Sequence, residues 1–189
     1  MKIGLYFGSF NPIHHGHLII ASHILSNTEV ENIWFVVSPH NPLKESNSLL
    51  NEYHRLHLVR LAIEGEARFR ASDIEFHLPR PSYTIDTLTY LHEKYPQHEF
   101  SVIMGSDSLQ NISKWKNAEV LTRNYKLLVY VRPNFPVTNE IGENLTILEA
   151  PMLEISSSYI RTCLKNQRSI RYLTTDNVAE EISKNRYYL

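Results

Sequence analysis

The chain has 189 residues, of which 42% are hydrophobic and 11% aromatic, enough to bury the core of one domain and too apolar for a disordered chain. Lys plus Arg total 19 against 20 for Asp plus Glu, which excludes the strongly basic surface of a nucleic-acid-binding protein. No apolar run approaches the roughly 20 residues that span a bilayer. Lys2 is followed by only five apolar or Gly residues before a turn, so no secretory signal is expected. Cys163, the one cysteine, cannot form an internal disulfide, and a reducing cytoplasm is the expected compartment.

In chain order, strands are predicted over 2–7, 33–38, 69–71, 101–104, 126–131 and 145–148. Helices are predicted over 17–25, 52–63, 84–94, 118–122, 157–165 and 176–184. Short apolar runs that alternate with helical patterns imply βαβ units and a doubly wound, mostly parallel α/β sheet with helices on both faces. Residues 133–142 form the only long polar loop, and nothing divides the chain, so residues 1–189 read as a single domain. Ligands of such sheets sit beyond the carboxyl ends of the strands. The unusual polar residues fall there: 8–17 after the first strand, 39–44 after the second, Gly105-Ser106-Asp107 after the fourth, Arg132-Pro133 after the fifth, and Ile155-Ser156-Ser157-Ser158 after the last.

Between the first strand and helix lies Gly8-Ser9-Phe10-Asn11-Pro12-Ile13-His14-His15-Gly16-His17. A helix start offers unpaired N–H groups and a partial positive charge, which suits phosphate. Gly8 and Gly16 let backbone approach a ligand, while His14 and His17 add two donors; His15 points away from them. A capping or surface role is the plain alternative for either histidine. Zinc is the other, but it needs three or four ligands and a second shell, and no cysteine lies near.

The remaining pieces each carry a plain reading beside a functional one. Ser156, Ser157 and Arg161 form a helix cap with a solvated Arg, or an anion site. Pro39 and Pro42 stiffen a loop that ends in Lys44. Asp107 is an N-cap or an acceptor for ribose hydroxyls. Trp115, between Lys114 and Lys116, is a packing anchor or a stacking platform for a flat or cationic ring. The helix that opens at Tyr83-Thr84-Ile85 caps itself or holds a carboxylate.

Residues 8–17 resemble the Gly-x-Phe-x-Pro-x-His-x-Gly-His signature of the nucleotidyltransferase superfamily, which has a Rossmann-like fold. Ile155-Ser156-Ser157-Ser158-Tyr159-Ile160-Arg161 resembles its second signature, with Ser158 in place of the usual Thr. The resemblance implies that His14 and His17 contact the phosphates of a bound nucleoside triphosphate, and that Arg161 and its helix start hold the β- and γ-phosphates. Pro39-x-x-Pro42-x-Lys44, Ser82-Tyr83-Thr84-x-Asp86-Thr87-Leu88, Gly105-x-Asp107-x-Leu109 and Trp115 narrow the likeness to the nicotinate-nucleotide adenylyltransferases, and Thr175 departs from an expected Pro. That family joins ATP to nicotinate mononucleotide, with Mg²⁺ carried by ATP and no metal held by the protein. The implied ATP-binding residues are Gly8, Ser9, Phe10, His14, Gly16, His17, Gly105, Asp107, Ile155, Ser156, Ser157 and Arg161. The implied acceptor residues are Asn11, Lys44, Tyr83, Thr84, Trp115 and Arg132. His14, His17, Lys44 and Arg161 are expected to do the catalytic work. A nucleotide-binding regulator without turnover is the rival reading, and both a monomer and a homo-oligomer stay open.

Overall fold

A computed structural model describes residues 1–39, 49–137, 144–151 and 153–189. Its centre is one sheet of six parallel strands in the order β3-β2-β1-β4-β5-β6. The strands are β1 Lys2–Gly8, β2 Asn32–Val37, β3 Phe69–Ser72, β4 Glu99–Gly105, β5 Lys126–Tyr130 and β6 Leu145–Leu148. The central strands are apolar on both faces because helices cover both, which is why they read as near-continuous hydrophobic runs rather than alternating ones.

Seven α-helices follow in chain order: α1 His15–Asn27, α2 Glu52–Ala62, α3 Thr84–Lys94, α4 Ser106–Leu109, α5 Ala118–Asn124, α6 Ser157–Lys165 and α7 Asp176–Asn185. Two 3₁₀ turns, Ile74–His77 and Ile112–Lys114, complete the described elements. Along each strand the side chains alternate between two cores. Tyr6, Phe35, Ile103 and Leu128 pack with α1, α2, α6 and α7. Leu5, Val36, Val102 and Val129 pack with α3, α4 and α5. Winding reverses where β1 pairs with β2 on one side and β4 on the other. A crevice therefore opens above the carboxyl ends of β1 and β4. Among the described residues no helix is long and apolar enough to cross a membrane.

The predicted strands and the long helices recur with ends displaced by one or two residues. One displacement bears on chemistry: α1 begins at His15 rather than at residue 17, so His17 lies within its first turn and His14 is its N-cap. The short α4 and both 3₁₀ turns went unpredicted, since three or four residues are too few to show a helical period.

Candidate active site

The loop after β1 is held from several sides. Gly8 O accepts from Ser38 N at 2.9 Å, which ties the loop's base to the end of β2. Phe10 takes the left-handed conformation (φ 45°), unusual for a residue with a side chain. Its ring is locked in the core, edge-on to Tyr6 and Phe35 and 5.1 Å from the ring of His17. Phe10 is thus a buttress behind His17 more than a ligand contact.

The two histidines form a unit. Their rings stack with centroids 3.8 Å apart. His14 N–H donates to Nδ1 of His17 at 3.3 Å, so in the neutral imidazole the His17 proton sits on Nε2. Nδ1 of His14 is buried without a hydrogen-bond partner among the described residues. A Cβ on Gly16 would come within 3.0 Å of that Nδ1 and of Cε1, so glycine there admits the ring. Burial, then the nearby Arg132 and His15, lower the pKa of His14 to about 4. Burial, His14 and Arg132 push His17 well below its ordinary value. Both rings are therefore neutral near pH 7, and they donate hydrogen bonds as dipoles, not as cations.

Helix α6 is stitched to this loop. Ser156 Oγ caps the helix by accepting from Tyr159 N at 3.1 Å, and Ser157 Oγ donates to Pro12 O at 2.8 Å. Arg161 donates from Nη1 to Asn11 O at 2.7 Å and from Nη2 to Ser158 Oγ at 3.1 Å. The Ser157 hydroxyl is thus engaged by Pro12 O, whereas Ser156 Oγ accepts from Tyr159 N and keeps its own O–H to donate; of the first-turn N–H groups, those of Ser157 and Ser158 are left for an anion. Across the crevice Asp107 forms an ion pair with Arg132 at 3.0 Å instead of standing as a lone acceptor for ribose. Ser106 Oγ accepts from Arg132 N at 2.8 Å. A Cβ on Gly105 would lie 2.4 Å from Asp107 Oδ1, so only glycine permits this approach.

Two cavities share the crevice. The larger, about 730 Å³, is lined by Gly8 to Asn11, His14, His17, Asp107, Trp115, Arg132, Ile155 to Ser158 and Arg161, among others. The smaller, about 400 Å³, is lined by Gly8, Ser9, Glu75, Ser82, Tyr83, Thr84, Ile85, Gly105 and Trp115, among others. At its wall α3 starts after Tyr83 with no side-chain cap; Asp86 N donates to Tyr83 O at 3.0 Å, which leaves the N–H groups of Thr84 and Ile85 beside the cavity.

Nearly all the residues expected at the site converge here. Gly16 lines neither cavity and acts through His14. Lys44 lies outside the described residues. Three participants escaped the sequence reading. Arg55 is fully buried and donates to the carbonyls of Leu50, Ser9, Ser38 and Pro39 at 2.6 to 2.9 Å. Burial lowers its pKa to about 10, and it remains a cation that braces three loop ends against one another. A signal existed, since Arg55 opens the 55-58-59-62 stripe whose other members are Leu58, Val59 and Ala62. Glu75 is buried in the wall of the smaller cavity and accepts from Ser82 Oγ at 3.1 Å and Thr87 Oγ1 at 3.0 Å. Burial raises its pKa against these donors. No pattern in the sequence marked it. The third, Lys114, lines both cavities.

A family profile described as Cytidylyltransferase-like matches residues 5–163. The chain is 50% identical to a probable nicotinate-nucleotide adenylyltransferase of Cytophaga hutchinsonii, over all of this chain (100%) and 98% of that one. It is 48% identical to a protein of the same description from Flavobacterium psychrophilum, covering 100% and 99% of the two chains. In three dimensions it is similar to the nicotinic acid mononucleotide adenylyltransferase of Plasmodium falciparum complexed with NaAD. That match has a TM-score of 0.84 at 24% identity and covers 99% of this chain and 97% of the other, a likeness of fold.

Proposed function

The chain belongs to the nicotinate-nucleotide adenylyltransferase family, and from that premise we propose that it transfers the adenylyl group of ATP to the 5′-phosphate of nicotinate mononucleotide, releasing pyrophosphate. The observation that carries the assignment is the pairing of the two cavities. An uncapped helix start beside Trp115 lines one, and the stacked His14–His17 pair with Arg161 lines the other. The larger cavity takes the triphosphate and the smaller one takes the acceptor.

The attacking 5′-phosphate has a second pKa near ~6 and is mostly a dianion at neutral pH, so no general base is required. The chain's task is to hold two anionic groups in line and to stabilise charge that develops on the departing pyrophosphate. His17 Nε2–H, the N–H groups of Ser157 and Ser158 at the start of α6 and the Arg161 guanidinium are the donors for that charge. Lys44 is assigned the same work from its sequence context alone. The nicotinate carboxylate is read by the α3 N–H groups of Thr84 and its neighbours, and the pyridinium ring stacks on Trp115. Asn11 and Arg132 border the path between the two substrates.

Mg²⁺ is expected to enter with the triphosphate. Among the described residues Asp107 is the one carboxylate that lines the larger cavity, and it is committed to Arg132. The acceptor's oxygen displaces pyrophosphate directly, without a covalent enzyme intermediate; Cys163 is buried away in α6. The single reduced cysteine fits a cytoplasmic setting. Pyrophosphate release with ATP and, in turn, nicotinate mononucleotide, nicotinamide mononucleotide and phosphopantetheine tests the assignment. Turnover with nicotinate mononucleotide is expected; its absence, with ATP still bound, would favour a regulator.

A further inference from the structure

We infer that Lys114 is a catalytic residue, the cation that brings the acceptor's 5′-phosphate against the α-phosphate of ATP; this rests on the adenylyl-transfer reading above. In that reaction the attacking oxygen and the phosphorus it attacks meet where the two cavities join. Among the described residues that line both cavities, Lys114 is the only charged one. The others are Gly8 and two serines, which offer backbone and hydroxyl groups, together with aromatic walls. Two phosphates forced within bonding distance repel each other, and a cation at the junction offsets that repulsion most as the new P–O bond forms.

The surroundings of Lys114 suit this work. It ends a short 3₁₀ turn, Ile112–Lys114, that is anchored in the core by the buried Ile112. Its Nζ donates to Asn111 Oδ1 at 2.9 Å. The Asn111 amide is itself aimed, because its Nδ2 donates to Asp107 O at 3.1 Å. The ammonium is thus steered by a neutral amide, which orients it and leaves its charge available. Lys116, two residues on, shows the contrast: its Nζ donates to both carboxylate oxygens of Asp86, at 2.9 and 2.8 Å, and its charge is paired. Arg132 and Arg161, the other described cations bordering the larger cavity, are paired with Asp107 or bonded to Asn11 O and Ser158 Oγ. Of two lysines flanking one tryptophan, Lys116 lines the smaller cavity alone with its charge paired to Asp86, and Lys114 borders both cavities.

The test is a steady-state comparison of Lys114→Ala, Lys114→Arg and Lys116→Ala in the full-length chain, with ATP and nicotinate mononucleotide varied in turn. For Lys114→Ala, kcat/KM for the mononucleotide should fall on the order of 10- to 100-fold, mainly through kcat. KM for ATP should stay within about threefold, since the triphosphate tail is held elsewhere. Lys114→Arg should recover most of the loss, and Lys116→Ala, which borders the acceptor cavity only, should keep kcat within about threefold of the parent. A Lys114→Ala enzyme with parental kcat and parental KM for the mononucleotide overturns the assignment, as does a loss of equal size in Lys116→Ala. Parent enzyme that releases no pyrophosphate would overturn the adenylyl-transfer reading itself, before any variant is compared. Thermal unfolding of each variant guards against loss of fold: a Lys114→Ala chain that melts with the parent and still loses turnover upholds the role.

Discussion

Beyond the carboxyl ends of the strands lie cavities of about 400 and 730 Å³; beyond the amino ends of β1, β4 and β5 lies another of about 610 Å³, lined by Lys2, Glu29, His92, His98, Glu99 and Lys126, among others. Size does not separate the two edges. In a doubly wound sheet the helices start at one edge and end at the other. The first edge therefore collects the N-termini of α1, α3 and α6, and the second the C-termini of α1, α3 and α5. The first is positive in partial charge and the second negative. Side chains at the amino edge answer that field internally: Lys2 is paired with Glu29, and Lys126 and Lys2 both lower the Glu29 pKa. At the carboxyl edge the dipole ends meet neutral imidazoles, open N–H groups and cations steered by amides and carbonyls. That positive excess is left for a ligand to answer, and the ligand it suits is an anion. What distinguishes a site from a hollow is the charge left unanswered within it.

If this contrast holds, the largest effect of a single substitution should come from His17. His17→Ala removes an Nε2–H donor aimed at charge that peaks in the transition state, and kcat should fall on the order of 10²- to 10³-fold with little change in KM for ATP. Initial rates of pyrophosphate release measure both constants. A variant with near-parental kcat and a raised KM for ATP would make His17 a ground-state contact only. His15→Ala should be mild, since His15 lines neither cavity.

His14 should betray the same edge through pH. Its pKa is about 4 in the fold and near 6.5 when unfolded, so between those values the unfolded chain binds more protons. Stability is then full above pH 6.5 and is lost as pH falls toward 4. The loss is bounded by about 3 kcal/mol for a shift of this size. His14→Gln should weaken the dependence of the urea midpoint on pH between 7 and 5, with His17 supplying what is left. Parallel curves for parent and variant would show that His14 is solvated rather than buried.

These tests fall on residues that the sequence brought to notice, and others had no such flag. The βαβ alternation was readable because each strand sits between two helical layers and each long helix shows one apolar stripe. The His14–His17 loop and the α6 start were readable because short motifs keep their spacing. Their partnerships were not. The Asp107–Arg132 pair and the Ser157–Pro12 stitch depend on contacts closed only by the fold, up to 145 residues apart in sequence. Glu75 carried no flag, and Arg55 carried only its place in an apolar stripe, since the carbonyls and hydroxyls that satisfy them have no sequence signature.

The open start of α3 should set the choice of acceptor. Nicotinate presents two acceptor oxygens to its N–H groups; nicotinamide turns an NH₂ toward at least one of them and leaves it unpaired, at a cost of roughly 1–3 kcal/mol. The ratio of kcat/KM for the two mononucleotides should thus be on the order of 10- to 100-fold in favour of nicotinate. Equal values would remove the carboxylate site and leave the adenylyl transfer standing. Trp115→Ala should raise KM for the mononucleotide by roughly tenfold, near the low end of base–aromatic stacking, and leave KM for ATP unchanged. An unaltered acceptor KM would return Trp115 to the packing role it also fills beside the α3 core.

The smallest effect is expected at the amino edge. Lys126 begins β5, borders the 610 Å³ cavity and acts on Glu29, which Lys2 already holds. Lys126→Ala therefore deletes one member of a cluster whose charges answer one another across an exposed surface, where such interactions are weak and salt-screened. Neither kcat nor either KM should move by more than about twofold, because the residue lies at the opposite end of its strand from Arg132 and reaches no substrate. A tenfold loss of kcat/KM would mean that the sheet transmits strain from one edge to the other. The amino edge would then belong to the functional machinery, and unanswered charge would no longer be what sets the two edges apart.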